Sequence, residues 1–556
     1  MGVLLSLPVV HIYLHCSIPR RANSQALDRR CPHDTNLSGA YHSTRRHAPW
    51  KQRASVSVWN GNVQAVLGVY MAYPSWRESL PWILVFAFTA FGFVLNRAFA
   101  VPRTLRHLPM VPVLPTLWSY TCGDVEDVRI NKLVLPFAQR GEPAVLVYMM
   151  GQWMVHILDC KVARDVCTDL DAFPKEVPPD GNLLWRLIGH DSVPTVNGAQ
   201  WKRLSKLVRD ALERNLPIDQ FSFLARRMFQ QMGEGGVFRW DDLAVRYTLD
   251  VIGTSTLGHD FDALRNPESP LVKRYSEVME MISNPMYLVL PILERLFPRT
   301  KTIQAIDELA EVFQDILKLK RQSPGNDVMT YMLENTETTD EELRSNMVAL
   351  FIAGHDSSAG ALSSLCYFLA MYPQIQQRAR SEVLVALAAH ATAEPTLAAL
   401  RAMPFLQACI RESLRANTPI LELVPRKAMR DTVLHSANGK TMHVVAGTLM
   451  VVNIHAVHLR EEYWVRAAEF DPDRFMEHDV AQWMSFGLGP RQCPARNFAT
   501  YELRTVGAML LAKWEWTLPE DSPHRAHIRK CVLAVCVVPS EGPYLDFKGG
   551  CEEPED

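Results

Sequence analysis

The sequence predicts a mainly α-helical fold with smaller β-sheets, formed by one large domain behind an N-terminal apolar segment. Three observations support this prediction. From about residue 110 onward, helical spacing of apolar residues dominates, and no long low-complexity linker or internal repeat interrupts it. Strand-like apolar runs are few, as at 443–453 and 531–538. An uncharged apolar run, 80–95, precedes the helical body.

Composition limits the classes of protein to which the chain can belong. It has 556 residues, of which 48% are hydrophobic, and a formal net charge of -2. Such a chain can bury a large core, and its near-neutral charge gives no reason to expect nucleic acid as a partner. Its 11 cysteines are scattered and odd in number, unlike the even framework of a small secreted domain. We therefore expect a reducing environment, with most cysteines acting as small buried apolar residues.

The apolar run at 80–95 predicts a membrane anchor, which we place at 78–98. It reads LPWILVFAFTAFGFVL, close to the length that spans a bilayer. Aromatic residues suited to the lipid interface lie near its start, and basic residues lie just after its end, at Arg97, Arg103 and Arg106. Basic residues after a span favour a cytosolic location for the rest of the chain. We expect a single-pass anchor, a proline-rich linker at 99–116 and a main domain at 117–550.

Residues 1–70 precede the anchor and differ from the rest of the chain in composition. They are rich in arginine and poor in acidic residues, which is typical of a mitochondrial presequence. Met71 directly precedes the anchor region and offers an alternative start of translation. We therefore expect residues 1–70 to be a disordered leader, or to be missing from the natural protein.

A long helix is predicted at 340–372. Thr339 followed by Glu342 is a capping-box start, and Pro373 marks the end. A second helix is predicted at 404–416, with proline in its first turn. Small residues crowd the middle of the long helix, namely Ala353, Gly354, Ser357, Ser358, Ala359, Gly360 and Ala361. They indicate either close packing of another helix or room for a large flat ligand.

The clearest chemical signal is the run FGLGPRQCPA at 486–495. Gly487 and Gly489 permit a tight loop that presents Cys493, with backbone N–H groups around its sulfur. Arg491 offers a planar fork of donors suited to a carboxylate. A helix is predicted directly after this run, and its N-terminus would stabilise a thiolate at Cys493.

This run resembles the haem-binding signature of the cytochrome P450 superfamily, F-G-x-G-x-R-x-C-x-G. It matches every specified position except the last, where Ala495 replaces glycine. The resemblance implies a cytochrome P450 fold over roughly 105–550. It also implies a haem b group whose iron takes the Cys493 thiolate as its axial ligand. Further haem contacts are implied for Phe486, Gly487 and Arg491.

The resemblance extends to a motif that precedes the cysteine run. Glu412 and Arg415 form a Glu-x-x-Arg pair, and the later run FDPDRF contains Arg474. Alone, such a pair is most simply an ordinary ion pair on a helix surface. In cytochrome P450 proteins the corresponding three residues form a structural triad near the proximal side of the haem. The resemblance implies that Glu412, Arg415 and Arg474 hold the fold and take no part in the chemistry.

The centre of the long helix reads AGHDSS and resembles the family's oxygen-activation motif. The acid of the motif is Asp356. Ser357 stands where threonine is usual, and this exchange keeps the hydroxyl. The resemblance implies that Asp356 and Ser357 relay protons during catalysis. It also gives a second reason for small residues in this helix, namely room for haem and oxygen.

Two other positions resemble residues that contact the haem propionates. Trp201 lies in QWKRLSKL, where the family has a tryptophan followed by a basic residue four positions later. This chain has Ser205 at that position. The basic partner would therefore be Lys202, Arg203 or Lys206. Arg426 stands where the family has another propionate-binding arginine.

The resemblance implies a monooxygenase that inserts one oxygen atom from O2 into a lipophilic small molecule. Electrons would come from NADPH through a membrane-bound cytochrome P450 reductase, with cytochrome b5 as a second donor. The anchor and this partner indicate the endoplasmic reticulum membrane. We expect the substrate among secondary metabolites such as terpenoids, with fatty acids or xenobiotics as alternatives. Its pocket is expected from 174–195, the long helix near Phe351, and 418–424.

Two other functional classes use the same fold. A haem-thiolate isomerase or dehydratase acts without external electrons and often lacks the acid–hydroxyl pair. A non-catalytic haem protein would need only Cys493. The presence of both Asp356 and Ser357 favours the monooxygenase.

Overall fold

The structure is a computed structural model of the chain. It describes residues 74–176, 182–214, 216–284, 286–287, 290–476, 480–525, 528, 530–532, 537–539 and 543–549. The leader predicted at 1–70 lies outside the described residues, as does Met71. The chain divides into two units, one ending at Ala100 and one beginning at Val101.

The first unit contains one described helix, α1 (Pro74–Ala98). Its stretch from Ser79 to Ala98 is long and apolar enough to cross a membrane, and the side chains described there are exposed. Exposed apolar side chains along a whole helix are typical of a surface that meets lipid. The anchor predicted at 78–98 thus falls on a helix of suitable length and composition.

The second unit is built mainly from helices with small sheets, which confirms the predicted fold class. Its α-helices are α2 (Val113–Thr121), α3 (Glu126–Leu133), α4 (Leu135–Gln139), α5 (Cys160–Thr168), α6 (Leu183–Ile188), α7 (Gly198–Glu213), α8 (Ile218–Met232), α9 (Trp240–Val251), α10 (Pro270–Ile282), α11 (Ile292–Leu296), α12 (Thr300–Gln322), α13 (Val328–Leu333), α14 (Asp340–Met371), α15 (Pro373–Ala389), α16 (Leu397–Arg401), α17 (Pro404–Ala416), α18 (Ile454–His458) and α19 (Arg496–Lys513). A π-helix, Ile252–Leu257, continues α9.

Four small sheets accompany the helices among the described residues. The strands are β1 (Ala144–Met149), β2 (Gln152–Ile157), β3 (Gly235–Arg239), β4 (Arg426–Lys427), β5 (Thr432–His435), β6 (Thr441–Val444), β7 (Leu449–Val452), β8 (Trp514–Thr517), β9 (Lys530–Val532), β10 (Val537–Pro539) and β11 (Tyr544–Gly549). Their orders are β1-β2-β7-β4, β3-β11-β8, β5-β6 and β9-β10. In the first sheet β2 runs parallel to β7, so strands far apart in sequence are joined there.

Helix α14 is mostly buried and begins as the sequence predicts. The Thr339 hydroxyl accepts a hydrogen bond from the N–H of Glu342, and the Glu342 carboxylate accepts one from the N–H of Thr339. This reciprocal pair is a capping box. The helix packs against α9, α17 and α19. Its middle therefore lies inside the helical body, next to the helix that comes directly after the cysteine run.

A buried ion cluster joins α17 to the segment that contains Arg474. Arg415 donates to both carboxylate oxygens of Glu412, at 2.7 and 2.8 Å, and Nε of Arg474 donates to the same carboxylate at 3.3 Å. The side chains of Glu412 and Arg415 are fully buried. Arg415 also donates to the carbonyl oxygens of His458, Ala467 and Glu469. The structure thus brings the three residues of the predicted triad together.

The two strand-like runs differ in detail from the prediction. The run at 443–453 is not one strand but the end of β6 followed by β7, because Gly447 turns the chain between them at a φ of +85°. The run at 531–538 contributes to β9 and β10, which pair antiparallel. Single-sequence patterns therefore located these strands but not the turn at Gly447 within the first run.

Part of the linker predicted at 99–116 is packed against the second unit. Met110 forms a bridge with Leu146 of β1, and the N–H of Val111 donates to the carbonyl oxygen of Leu146 at 2.8 Å. Val111 is buried, and α2 begins at Val113. The second half of this segment therefore belongs to the domain. Its prolines lie in a packed part of the chain rather than in a linker.

Candidate active site

The run at 486–495, which we call the cysteine loop, is a tight turn that leads into α19. The N–H of Cys493 donates to the carbonyl oxygen of Phe486 at 2.8 Å. Gly487 and Gly489 have φ angles of +78° and +66°, in the left-handed region that favours glycine. The loop therefore holds Cys493 just before the N-terminus of α19.

The Cys493 thiol is half-buried and is not part of a disulfide. Burial raises the pKa of this thiol, while the N–H of Ala495 and the charges of Lys175 and Arg496 lower it. A metal ion bound to the sulfur would favour the thiolate further. The sulfur thus lies where hydrogen-bond donors and cations converge.

Gly489→Ala should disturb this loop. An added Cβ would lie 2.7 Å from the carbonyl oxygen of Cys167 at the end of α5, and the positive φ adds backbone strain. We expect the free energy of unfolding to fall by about 1–3 kcal/mol, measured by denaturant unfolding. Gly198→Ala is the matched control, because Gly198 also has a positive φ but open space around the added Cβ. Equal losses in both variants would show that contact with α5 is unimportant.

Three positively charged side chains lie together beside the cysteine loop. The pKa of Lys175 is lowered to about 7, mainly because burial removes water from its ammonium group. The positive charges of Arg491 and Arg426 lower it further. Loss of water and the charge of Arg426 likewise lower the pKa of Arg491 to about 9. Among the described residues no carboxylate forms an ion pair with any of the three, since the pairs nearby involve Lys427 and Arg430. Such a cluster favours a ligand that carries carboxylates.

The arginines of this cluster are oriented by backbone oxygens and by Trp201. The Arg491 guanidinium donates to the carbonyl oxygen of Val196 at 2.9 Å and lies 4.7 Å from the centre of the Trp201 ring. Arg426 donates to the carbonyl oxygen of Phe173 at 2.7 Å. The terminal nitrogens of Arg491 also donate to Oδ1 of Asn197 and to the carbonyl oxygens of Val193 and Pro194, so its Nε–H is the donor left for a ligand. Arg426 retains more of its five N–H donors. Arg491 thus lies over Trp201, and Arg426 lies near enough to lower the pKa of Arg491.

The three basic residues offered as partners of Trp201 lie elsewhere. Arg203 pairs with Glu342, and Lys206 pairs with Asp210 at 2.7 Å. Lys202 is exposed. The helix turns all three away from the ring, because only a residue three or four positions after the tryptophan shares its face.

Lys175 supplies the third cation instead, a role that no sequence pattern predicts. It lies in the segment 174–195, which is expected to contact substrate and of which 177–181 fall outside the described residues. Its N–H donates to Oδ1 of Asn197 at 3.1 Å, and it forms a bridge with Arg426. Pairing of two segments far apart in sequence therefore places this lysine, and no local signal could have found it.

One side of α14 is accessible in the middle of an otherwise buried helix. It consists of Leu350, Ala353, Gly354 and Ser357, which are exposed or partly exposed. Their spacing of three, one and three residues places all four on the same side of α14. We call this side the open face. An open face of small and apolar residues within a helical body suits a large flat ligand.

Gly354 also serves helix packing. A Cβ there would collide with the side chain of Ile252, at the start of the π-helix. Both explanations for the small residues therefore apply. Gly354 permits close approach of a neighbouring helix, and Ala353 and Ser357 leave space on the open face.

The predicted acid and hydroxyl point in different directions. Ser357 lies on the open face and donates to the carbonyl oxygen of Ala353 at 2.6 Å. Asp356 is buried, and its Oδ1 lies 2.9 Å from Nε2 of His355. Its Oδ2 is buried with no hydrogen-bond partner among the described residues. A rotation of Asp356, or a bridging water, is needed to link the two groups.

The other predicted substrate segments face the site only in part. Leu423 lies against the cysteine loop. Glu422 points elsewhere, since its carboxylate accepts from Nδ2 of Asn453 at 2.8 Å and lies 2.9 Å from Nδ1 of His156. Phe351 itself, near which the long helix is expected to contact substrate, is buried in a cluster of aromatic rings.

Glu502 is a buried acid in this region that sequence reasoning missed. The Ser358 hydroxyl donates to Oε2 of Glu502 at 2.8 Å and so joins α14 to α19. Burial raises the pKa of Glu502 to about 8, although the bond from Ser358 lowers it. The carboxyl is therefore mostly protonated at neutral pH. An acid on the buried side of an apolar helix is the signal that could have marked it.

Glu502→Gln should stabilise the protein near neutral pH. Because burial holds the folded pKa above that of the unfolded chain, the folded state binds a proton that the unfolded state releases. Stability should therefore fall as pH rises from about 4.5 to about 8, and glutamine removes this loss. We expect a higher Tm than the parent at about pH 7 and an equal Tm near pH 4.5. If the Tm of Glu502→Gln differed from that of the parent by the same amount at both pH values, the raised pKa of Glu502 would be contradicted.

Comparison with known proteins identifies a family and several relatives of this chain. The Cytochrome P450 family profile matches residues 109–545. The cytochrome P450 monooxygenase xanG of Aspergillus fumigatus is 23% identical over 464 residues, covering 75% of this chain and 84% of the relative. Cytochrome P450 4F4 of Rattus norvegicus is 24% identical over 501 residues, covering 81% and 93%. A crystal structure of the cytochrome P450DA haem domain superposes with a TM-score of 0.69 at 22% identity, covering 80% of this chain and 98% of that chain.

A haem group fits the residues of the site. Cys493 offers a thiolate to the iron, and the cations Lys175, Arg426 and Arg491 offer partners to two propionates. The open face of α14 offers room beside small side chains. The motif, the fold and the family match, which spans most of the chain, agree with one another: this chain belongs to the cytochrome P450 family.

Proposed function

We propose that the chain is a membrane-anchored monooxygenase of a lipophilic small molecule, such as a terpenoid or another secondary metabolite. One observation carries the proposal, namely a free cysteine in a tight loop beside a partly buried cation cluster that lacks carboxylate partners among the described residues. Similarity to monooxygenases of Aspergillus fumigatus and Aspergillus aculeatus supports a fungal type of enzyme. Fatty acids and xenobiotics are the alternative substrates.

Each residue of the site has a role in this proposal. Cys493 would hold the haem iron through its sulfur, and the other haem contacts would come from Phe486, Gly487, Trp201, Arg426 and Arg491, to which we add Lys175. A haem held there would supply the activation of O2, with electrons from NADPH delivered by a reductase, for insertion of one oxygen atom into the substrate. The triad of Glu412, Arg415 and Arg474 holds the fold on which these contacts depend.

Asp356 and Ser357 are proposed to deliver protons to the open face. The Ser357 hydroxyl can accept a proton on its oxygen and donate its own toward a bound ligand. Asp356 lies at the next position, and Oδ2 has no partner among the described residues. A rotation of the carboxyl toward Ser357, or one bridging water, would connect the two.

Asp356→Asn should therefore slow turnover without removing the haem. Asparagine keeps the shape but cannot give up a proton, so we expect a loss of roughly 100-fold in kcat, the lower end of general acid catalysis. The rate of product formation per haem at saturating substrate would measure the loss. Asp356→Glu, which restores an acid, should recover part of the rate. An unchanged rate in the asparagine variant would remove Asp356 from the relay.

The chain is proposed to lie in the endoplasmic reticulum membrane, with residues 78–98 of α1 as its single span and the haem domain in the cytosol. Outside α1, the exposed large apolar side chains include five in and just after α2 and α11, namely Leu114, Trp118, Ile292, Leu296 and Phe297. Such residues favour contact with lipid. Electrons would come from NADPH–cytochrome P450 reductase, with cytochrome b5 as a second donor in the same membrane.

The lipophilic substrate is proposed on the apolar character of the site. Leu350 and Ala353 of the open face, together with Leu423 beside the cysteine loop, offer carbon rather than charge. Of the charged side chains in the predicted segments, Glu422 is turned toward Asn453 and His156. An apolar ligand that enters the site therefore leaves neither the Glu422 carboxylate nor these apolar side chains without a hydrogen-bond partner that they need.

Reconstitution in labelled oxygen tests the proposal. The full chain, in membranes with reductase and NADPH, would be offered a panel of terpenoids, fatty acids and xenobiotics under ¹⁸O2. We expect a lipophilic product that carries one labelled oxygen atom and forms only with NADPH. Conversion of a peroxide without NADPH and without label would instead favour the isomerase or dehydratase class, and haem binding with no conversion would favour a non-catalytic role.

A further inference from the structure

His355, the residue before the proposed acid, makes two bonds that constrain its protons. Its side chain is buried, its Nδ1 lies 2.7 Å from the carbonyl oxygen of Phe351, and its Nε2 lies 2.9 Å from Oδ1 of Asp356. A carbonyl oxygen only accepts hydrogen bonds, so Nδ1 must carry a proton. Nε2 then either carries a second proton or accepts one from the Asp356 carboxyl. One proton is therefore shared between His355 and Asp356.

The surroundings of the ring favour a protonated imidazole. Phe351 and Tyr275 lie against it, with ring centres 4.9 and 5.0 Å away, and aromatic rings attract a cation. Although burial lowers the pKa of His355, Asp356 and the Phe351 carbonyl raise it, and the net shift is upward. The charged pair then consists of an imidazolium and a carboxylate.

The same bond sets the direction of the Asp356 carboxylate. Successive helix positions point about 100° apart, so neighbouring side chains do not usually meet. Here the carboxylate of Asp356 is turned back to His355 and away from Ser357 on the open face. His355 therefore determines where this acid rests.

We propose that His355 is a positioning residue, which as an imidazolium keeps the Asp356 carboxylate ionised and turned away from the open face until a proton is required. This inference rests on the proposed function, in which Asp356 supplies protons, and it adds a residue to that machinery. His355 does not touch substrate or haem in this proposal. It acts only through Asp356, because the carboxyl takes up the shared proton from Nε2 of His355 when it turns to the open face, and the neutral imidazole is then protonated again from water.

Infrared spectroscopy of the full-length holoenzyme at neutral pH tests the charge of the pair. In the parent, subtraction of the Asp356→Asn spectrum should leave no carboxylic-acid band, because Asp356 is ionised. In His355→Gln, the buried carboxylate loses its cation and should take up a proton. Subtraction of the spectrum of the His355→Gln/Asp356→Asn double variant from that of His355→Gln should then leave a carboxylic-acid band. A band in the parent difference, or none in the His355→Gln difference, would overturn the proposal.

Hydrogen peroxide released per NADPH consumed gives a second readout, with reductase present. His355→Gln and Asp356→Asn should each raise the release, and the double variant should match Asp356→Asn to within about twofold, since both act through one group. Additive effects would show that His355 acts on its own and would contradict the proposal. The infrared measurement needs no substrate, so its outcome does not depend on whether the proposed oxidation is correct.

His390→Gln is the matched control. Its Nδ1 lies 2.8 Å from the carbonyl oxygen of Ala386, four residues earlier, as in His355. It has no carboxylate partner among the ion pairs of the described residues. This variant should change neither the carboxylic-acid band nor the release of peroxide. A change of the same size as in His355→Gln would assign the effect to loss of a helix-bound histidine in general, and would overturn the proposal.

Discussion

Glu412→Ala should leave a chain that no longer folds into a stable haem protein. The Glu412 carboxylate accepts from Arg415 and Arg474 in a fully buried position, and its removal leaves buried guanidinium charge without a counterion. Breaking a buried ion pair in this way costs about 3–5 kcal/mol, a large share of the stability of an ordinary domain. We expect little soluble protein on expression and a strongly reduced Tm in what remains.

The size of this effect depends on burial, and an exposed pair supplies the control. Asp315 and Lys318 also stand three residues apart on a helix, at 2.9 Å, but both side chains are about 70% exposed. Removal of an exposed pair of this kind changes stability by about 0–1 kcal/mol. Asp315→Ala should therefore melt close to the parent. If the Tm of Glu412→Ala is also close to that of the parent, the triad does not hold the fold.

Local sequence signals located the main elements of the site. The helix at 404–416 and the start of α14 were predictable because proline and the Thr339–Glu342 capping box mark helix ends within a few residues. The cysteine loop was predictable because its glycines, arginine and cysteine lie within ten positions. The fold class and the family can be inferred from such local signals.

Other features depend on contacts between distant segments, which a single sequence does not reveal. Lys175 joins the cation cluster only because its segment pairs with Arg426, 251 positions later. Glu422 turns away from the cysteine loop because Asn453 and His156 bind it. The motif names Asp356, but only the packed helix shows its carboxylate directed to His355. A motif identifies which residues are present, and packing decides which way they point.

Cys493→Ser should abolish monooxygenation. A serine hydroxyl is not ionised at neutral pH and lacks the polarisable sulfur that donates electron density to iron and favours O–O cleavage. The variant should fold, because serine is close in size to cysteine and the bond from the N–H of residue 493 to Phe486 uses only the backbone. We expect turnover to fall to background, measured as product formed with reductase and NADPH.

Cys160→Ser is the matched control for this variant. Cys160 is also a free, half-buried cysteine, but it lies at the start of α5 rather than in the cysteine loop. Its replacement should leave turnover and haem content close to those of the parent. A similar loss in both variants would mean that the cysteine loop has no special role.

The difference spectrum of the reduced carbon monoxide complex tests thiolate ligation most directly. It would be recorded on the full chain in membranes, beside Cys493→Ser and Cys160→Ser. We predict a strongly red-shifted Soret band in the parent and in Cys160→Ser, and its absence in Cys493→Ser. A spectrum of the histidine-ligated type in the parent, or folded parent protein without haem, would contradict the assignment of Cys493 as the iron ligand.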